Sequence, residues 1–78
     1  MKITNFLILN SSGDNVPSDA HGNNLAFLCS NCGYPILSVA VKNQRGFDEE
    51  HPAICKDCGK AFFLDIRENS EKIYIHEL

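Results

Sequence analysis

A chain of 78 residues holds one small core, and its 10 Asp+Glu against 7 Lys+Arg argue against non-specific binding to phosphate backbones. Lys42, Arg45, Lys56, Lys60 and Arg67 are spread among acids, without the clustered basic stripe of a nucleic-acid binder. No apolar run approaches the roughly 18 residues of a membrane span, and Phe6-Leu7-Ile8-Leu9 is too short for a secretion signal, so the expected compartment is the cytoplasm.

In chain order, residues 2–9 read as a first strand, with β-prone Ile3, Phe6, Leu7, Ile8 and Leu9 flanked by Asn. Residues 10–24 are almost all polar turn formers and predict a flexible loop, so 1–24 is expected to be a strand plus loop outside the domain proper. From residue 25 to 78 the chain predicts short apolar strands divided by turns. Leu25–Leu28 enters a first Cys-x-x-Cys, and Ile36–Val41 leaves it after Pro35. A polar loop follows over 42–52. Ala53-Ile54 then enters a second Cys-x-x-Cys, and Ala61–Arg67 leaves it. The alternation puts Phe62, Leu64 and Ile66 on one face and Phe63, Asp65 and Arg67 on the other. A polar turn at 68–71 joins a last strand over 72–78, making a C-terminal hairpin. No helical period persists, so the fold class expected is a small, metal-stabilised, antiparallel all-β domain of about 3–6 short strands.

All four cysteines fall in two matched pairs, Cys29-Ser-Asn-Cys32-Gly33 and Cys55-Lys-Asp-Cys58-Gly59. Two intervening residues let a pair of sulfurs converge on one ion at about 2.3 Å, and two such turns supply the four vertices of a tetrahedron. Gly after the second Cys accepts the positive φ by which the turn points N–H groups at the sulfurs. A redox dithiol is the other use of this spacing. It normally opens a helix, which Gly33 and Pro35 discourage. Cys29, Cys32, Cys55 and Cys58 are therefore expected to bind one Zn²⁺ per chain. Such a site adds about 10–16 kcal/mol of apparent binding free energy, more than the whole stability of a typical domain.

At these residues, over approximately 25–67, the chain resembles the zinc-ribbon family: a β-ribbon with two zinc knuckles. Cys29-Ser-Asn-Cys32-Gly33-Tyr34 is also similar to the first knuckle of rubredoxins, which hold iron in the same geometry and transfer electrons. Tetrathiolate sites accept either metal. This chain departs from rubredoxins in running on as Pro35-Ile-Leu-Ser-Val and in having no Trp.

Arg45 with Asp48-Glu49 is similar in order to the hairpin of transcript-cleavage elongation factors, where an Arg and an Asp-Glu pair position metal in an RNA polymerase. Here the acids lie nearer the second knuckle, and Gly46-Phe47 replaces small polar residues, so a solvated turn is the expected reading. Phe47 either folds back onto the ribbon or stays exposed as a contact. Phe63 and Tyr74, outward on neighbouring strands, either pair across the hairpin or centre a protein-binding patch. His51 stands four residues before Cys55, but four sulfurs already fill a tetrahedron; His21 and His76 are expected to be exposed.

Neither a Gly-x-Ser-x-Gly elbow, a phosphate loop nor a His-Glu-x-x-His helix occurs, and a closed four-Cys site leaves zinc no open position for water. No enzyme is expected. The sequence points to a protein-interaction module, adaptor or regulator, whose contacts would be drawn from Arg45, Phe47, Phe63 and Tyr74. A nucleic-acid or transcription-associated ribbon is the alternative. Unpaired outer strands allow either a homodimer or addition to a partner's sheet.

Overall fold

A computed structural model of the protein describes residues 2–78. Its strands are β1 (Leu7–Asn10), β2 (Ser18–His21), β3 (Asn24–Leu28), β4 (Pro35–Val39), β5 (Ala53–Ile54), β6 (Ala61–Arg67) and β7 (Lys72–Glu77), with a 3₁₀ turn at Glu68–Ser70. No α-helix occurs among the described residues, so the all-β class holds. No helix among them is long and apolar enough to cross a membrane.

The strands form two sheets, β1-β7-β6-β5 and β2-β3-β4, more than the three to six strands of one sheet expected. The pairing is antiparallel except at β1, which runs parallel to β7 with Ile8 opposite Ile73. A parallel pair needs a long crossover, and here nearly the whole chain supplies it. The first strand is shorter than expected because the chain turns before it: Phe6 N–H donates to the Ile3 carbonyl at 3.0 Å, and Ile3 N–H reaches Gly22. Ile3 is thereby buried under the β2–β3 turn.

Residues 10–24 are not all loop. Asn10 Oδ1 accepts from the Ser12 and Asp14 amides at 2.9 and 3.0 Å, closing a side-chain-mediated turn. Leu9 bridges Asn15, and Ser18–His21 then pairs with β3. The sequence hides β2 because an edge strand with one neighbour and mostly exposed side chains needs no apolar alternation.

Alternation elsewhere builds the core. Leu25 and Phe27 of β3, Ile36 of β4, Phe62 and Leu64 of β6, and Ile73 and Ile75 of β7 turn inward between the sheets. Phe27 and Phe62 meet edge-on, with centroids 5.6 Å apart at 82°. Cys29 and Cys55 are buried in the same cluster, so the first sulfur of each pair is rooted in the core.

The 42–52 loop fastens one sheet to the other. Val39 N–H of β4 donates to the Arg45 carbonyl at 2.8 Å, and Leu64 N–H of β6 donates to the Gly46 carbonyl at 2.8 Å.

Candidate metal centre

Each cysteine pair sits on a tight turn at the end of a strand, and both turns are closed by the same two hydrogen bonds. In the first, Cys29 N–H donates to the Tyr34 carbonyl and Gly33 N–H to the Cys29 carbonyl, both at 2.9 Å. In the second, Cys55 N–H donates to the Lys60 carbonyl at 2.8 Å and Gly59 N–H to the Cys55 carbonyl at 2.9 Å. Gly33 and Gly59 adopt φ of +77° and +80°, where an L side chain is strained, so the repeat in sequence is a repeat in backbone.

The two turns face each other. All four Sγ atoms lie within 4.8 Å of one another, and Cys29–Cys58 and Cys32–Cys55 are each 3.5 Å apart across the knuckles. A tetrahedral ion with four bonds of about 2.3 Å requires sulfurs separated by about 3.8 Å. The cluster therefore fits one tetrahedral metal ion, and all four cysteines are free thiols. Soft sulfur donors suit zinc or iron.

The electrostatics also call for a cation. The Lys60 backbone N–H and the Asn31 side chain draw the Cys58 thiol down to about 6. The Tyr34 N–H pulls Cys32 the same way, yet desolvation and the three neighbouring sulfurs push that thiol up. Four thiolates at this separation repel, and a divalent ion lets all four ionise together.

Glu77 at the end of β7 ties the two knuckles to one strand. Its carboxylate accepts from Ser30 Oγ of the first knuckle, and it pairs with Lys60 Nζ after the second at 2.8 Å. Cys29 and Cys58 add to the field that raises the Lys60 pKa, after Glu77 itself.

The other candidate residues are not gathered in one place. Arg45 is exposed and lines a groove with Tyr34, Leu37, Ile54 and Lys56. Phe47 and Phe63 are half-buried and line a separate, open concavity with Asp48, Glu49, Glu50 and His76. Phe47 has thus folded back in part. Phe63 and Tyr74 do not pair directly: His76 stands between them, its ring 5.2 Å from Phe63 and 6.5 Å from Tyr74, while the Arg67 guanidinium covers Tyr74 at 4.2 Å.

Asp48 is committed to its own loop. It accepts from the Glu50 and His51 amides at 3.1 and 3.0 Å and meets His51 Nδ1 at 2.8 Å. His51 accordingly holds the Asp48 carboxyl below the usual range. It is not among the groups whose ligand atoms converge at the sulfurs.

One constellation escaped the sequence. Ser11 Oγ lies 2.8 Å from His76 Nδ1, and His76 Nε2 lies 3.3 Å from Asp65 Oδ2. Ser and His stand 65 positions apart, on the turn after β1 and on the strand parallel to it, so no local motif marks them. The nearby amides of Ser12 and Asp14 bond Asn10 Oδ1, and that of Gly13 bonds the Asn10 carbonyl. These three are occupied and leave the turn no oxyanion cradle. Ser11 Oγ also reaches the Ile75 carbonyl at 3.3 Å, and Asp65 holds Arg67 at 3.0 Å, so the group reads as a pinned imidazole.

No protein-family model matches the chain, and neither a curated protein nor a solved structure matches it.

Proposed function

We propose that the chain is a small zinc-binding protein in which Cys29, Cys32, Cys55 and Cys58 hold one structural Zn²⁺, and that it works as an interaction module for another protein in the reducing cytoplasm. The observation that carries this reading is the closed cluster of four sulfurs within 4.8 Å, two of them part of the core. Four protein sulfurs fill a tetrahedral ion and leave no position for water, which favours a structural role over hydrolysis. Four thiolates together with the divalent ion would add about −2 to a chain already at −3, so the module as a whole is acidic.

Two features speak against the nucleic-acid alternative: Lys60 and Arg67 are engaged by Glu77 and Asp65, and Arg45 stands apart from Asp48 and Glu49. Affinity purification of the zinc-loaded chain from its native cell tests the module. A protein partner retained at moderate salt and lost after chelation is expected. Recovery of nucleic acid, or of nothing, overturns the reading. A red, iron-loaded preparation would replace it with electron transfer.

A further inference from the structure

Six large apolar side chains are exposed among the described residues, and three of them, Tyr34 (42%), Leu37 (44%) and Ile54 (56%), line one groove. The groove encloses about 550 Å³ and follows the line where the β4 edge of one sheet meets the β5 edge of the other. Single exposed apolar residues need no explanation; three in one groove do.

The backbone there is open as well. The bond from Cys29 N–H to the Tyr34 carbonyl fixes the alternation along β4, so Ile36 and Ser38 bond β3 while the Leu37 amide and carbonyl face away from it. The bond from Cys55 N–H to the Lys60 carbonyl does the same for β5, turning the Ile54 backbone away from β6. Charge completes the pattern. Arg45 and Lys56 line the groove, and neither forms an ion pair among the described residues. On an acidic molecule the groove is an apolar strip with two free cations.

We infer that this groove binds an extended peptide segment of a partner protein, in which aliphatic or aromatic residues alternate with Asp or Glu. Alternate side chains of a strand point to opposite sides. Its apolar residues cover Tyr34, Leu37 and Ile54, and its carboxylates at the margins meet Arg45 and Lys56. Its main chain pairs with the open edge at Leu37. A second copy of this chain is the poorer occupant, because two molecules of net charge −3 repel. The inference rests on the interaction-module reading and names that module's surface and partner class.

The test pans the zinc-loaded full chain against a phage-displayed library of random twelve-residue peptides. Binding of the selected peptides is then measured by fluorescence anisotropy. The expected result is a consensus of alternating acidic and apolar residues. Arg45→Glu with Lys56→Glu, or Leu37→Asp alone, should weaken binding by about tenfold or more, while Leu7→Ala, at an exposed apolar residue outside the groove, leaves it unchanged. Each variant is first shown to retain its metal and its NMR dispersion. A basic consensus, no saturable binder, binding indifferent to the charge reversals, or a dimer formed through this groove overturns the inference. If the Arg45→Glu/Lys56→Glu chain still recovers the native partner, the groove fails and the module stands; if the unaltered chain recovers none, the module fails too.

Discussion

Gly46 is where one added methyl group does the most harm. Its φ is +85°, and a Cβ there would sit 2.7 Å from Ser38 Cβ, nearer still to Ser38 Oγ, and 3.3 Å from Ala53 Cβ. Both penalties fall at the point where the loop bonds β6. Gly46→Ala is expected to cost about 3 kcal/mol, read from the denaturation midpoint of the zinc-loaded chain. Its neighbour Ser38 is fully buried, and its Oγ has no hydrogen-bond partner among the described residues. Removing that hydroxyl removes its desolvation cost. Ser38→Ala should therefore be neutral or stabilise by about 1 kcal/mol, and a loss of more than that would mean the hydroxyl has a partner. Asp65 and Asp48 set a pH dependence. Arg67 chiefly, and His76 after it, hold the Asp65 carboxyl below its ordinary value, as His51 does for Asp48. A folded-state pKa below the unfolded one gives stability that is present above about pH 4 and lost as pH falls through the folded value. Asp65→Asn should flatten that part of the acid limb, measured by denaturation at fixed, saturating zinc.

At the scale of elements, β7 carries the most connections. It lies between β1 and β6, and its last residue, Glu77, meets both knuckles. Glu77→Gln should keep the fold yet speed metal release to a competing chelator by about two- to tenfold, through looser knuckles. An unchanged release rate would show that the turns hold themselves. The same elements show what the sequence made legible. β3, β5, β6 and β7 and both knuckles stand where apolar alternation and the Cys-x-x-Cys-Gly repeat place them, because each of those signals is local. Pairing is not local: nothing in Leu7–Asn10 tells that it will run parallel to Lys72–Glu77. β2 is polar, and the turn before it depends on the Asn10 side chain. The division of the candidates was equally hidden. Arg45 and Asp48 are three positions apart, yet the loop turns one toward the β4–β5 groove and the other toward the Phe63 face.

For the whole molecule, two small sheets share one core, and the sulfur cluster closes one end of it. The inward residues are few, and two of them are cysteines of the four-sulfur cluster. Metal is therefore expected to be a condition of folding, worth about 10–16 kcal/mol of apparent free energy against the few that a core this size supplies. The most direct test of the four-sulfur centre is native mass spectrometry of the purified chain with thiol alkylation, before and after chelation, alongside NMR dispersion. One metal ion per chain and four thiols protected from alkylation are expected, with metal, protection and dispersion lost together on chelation. A folded, metal-free chain with freely alkylated cysteines would contradict that expectation.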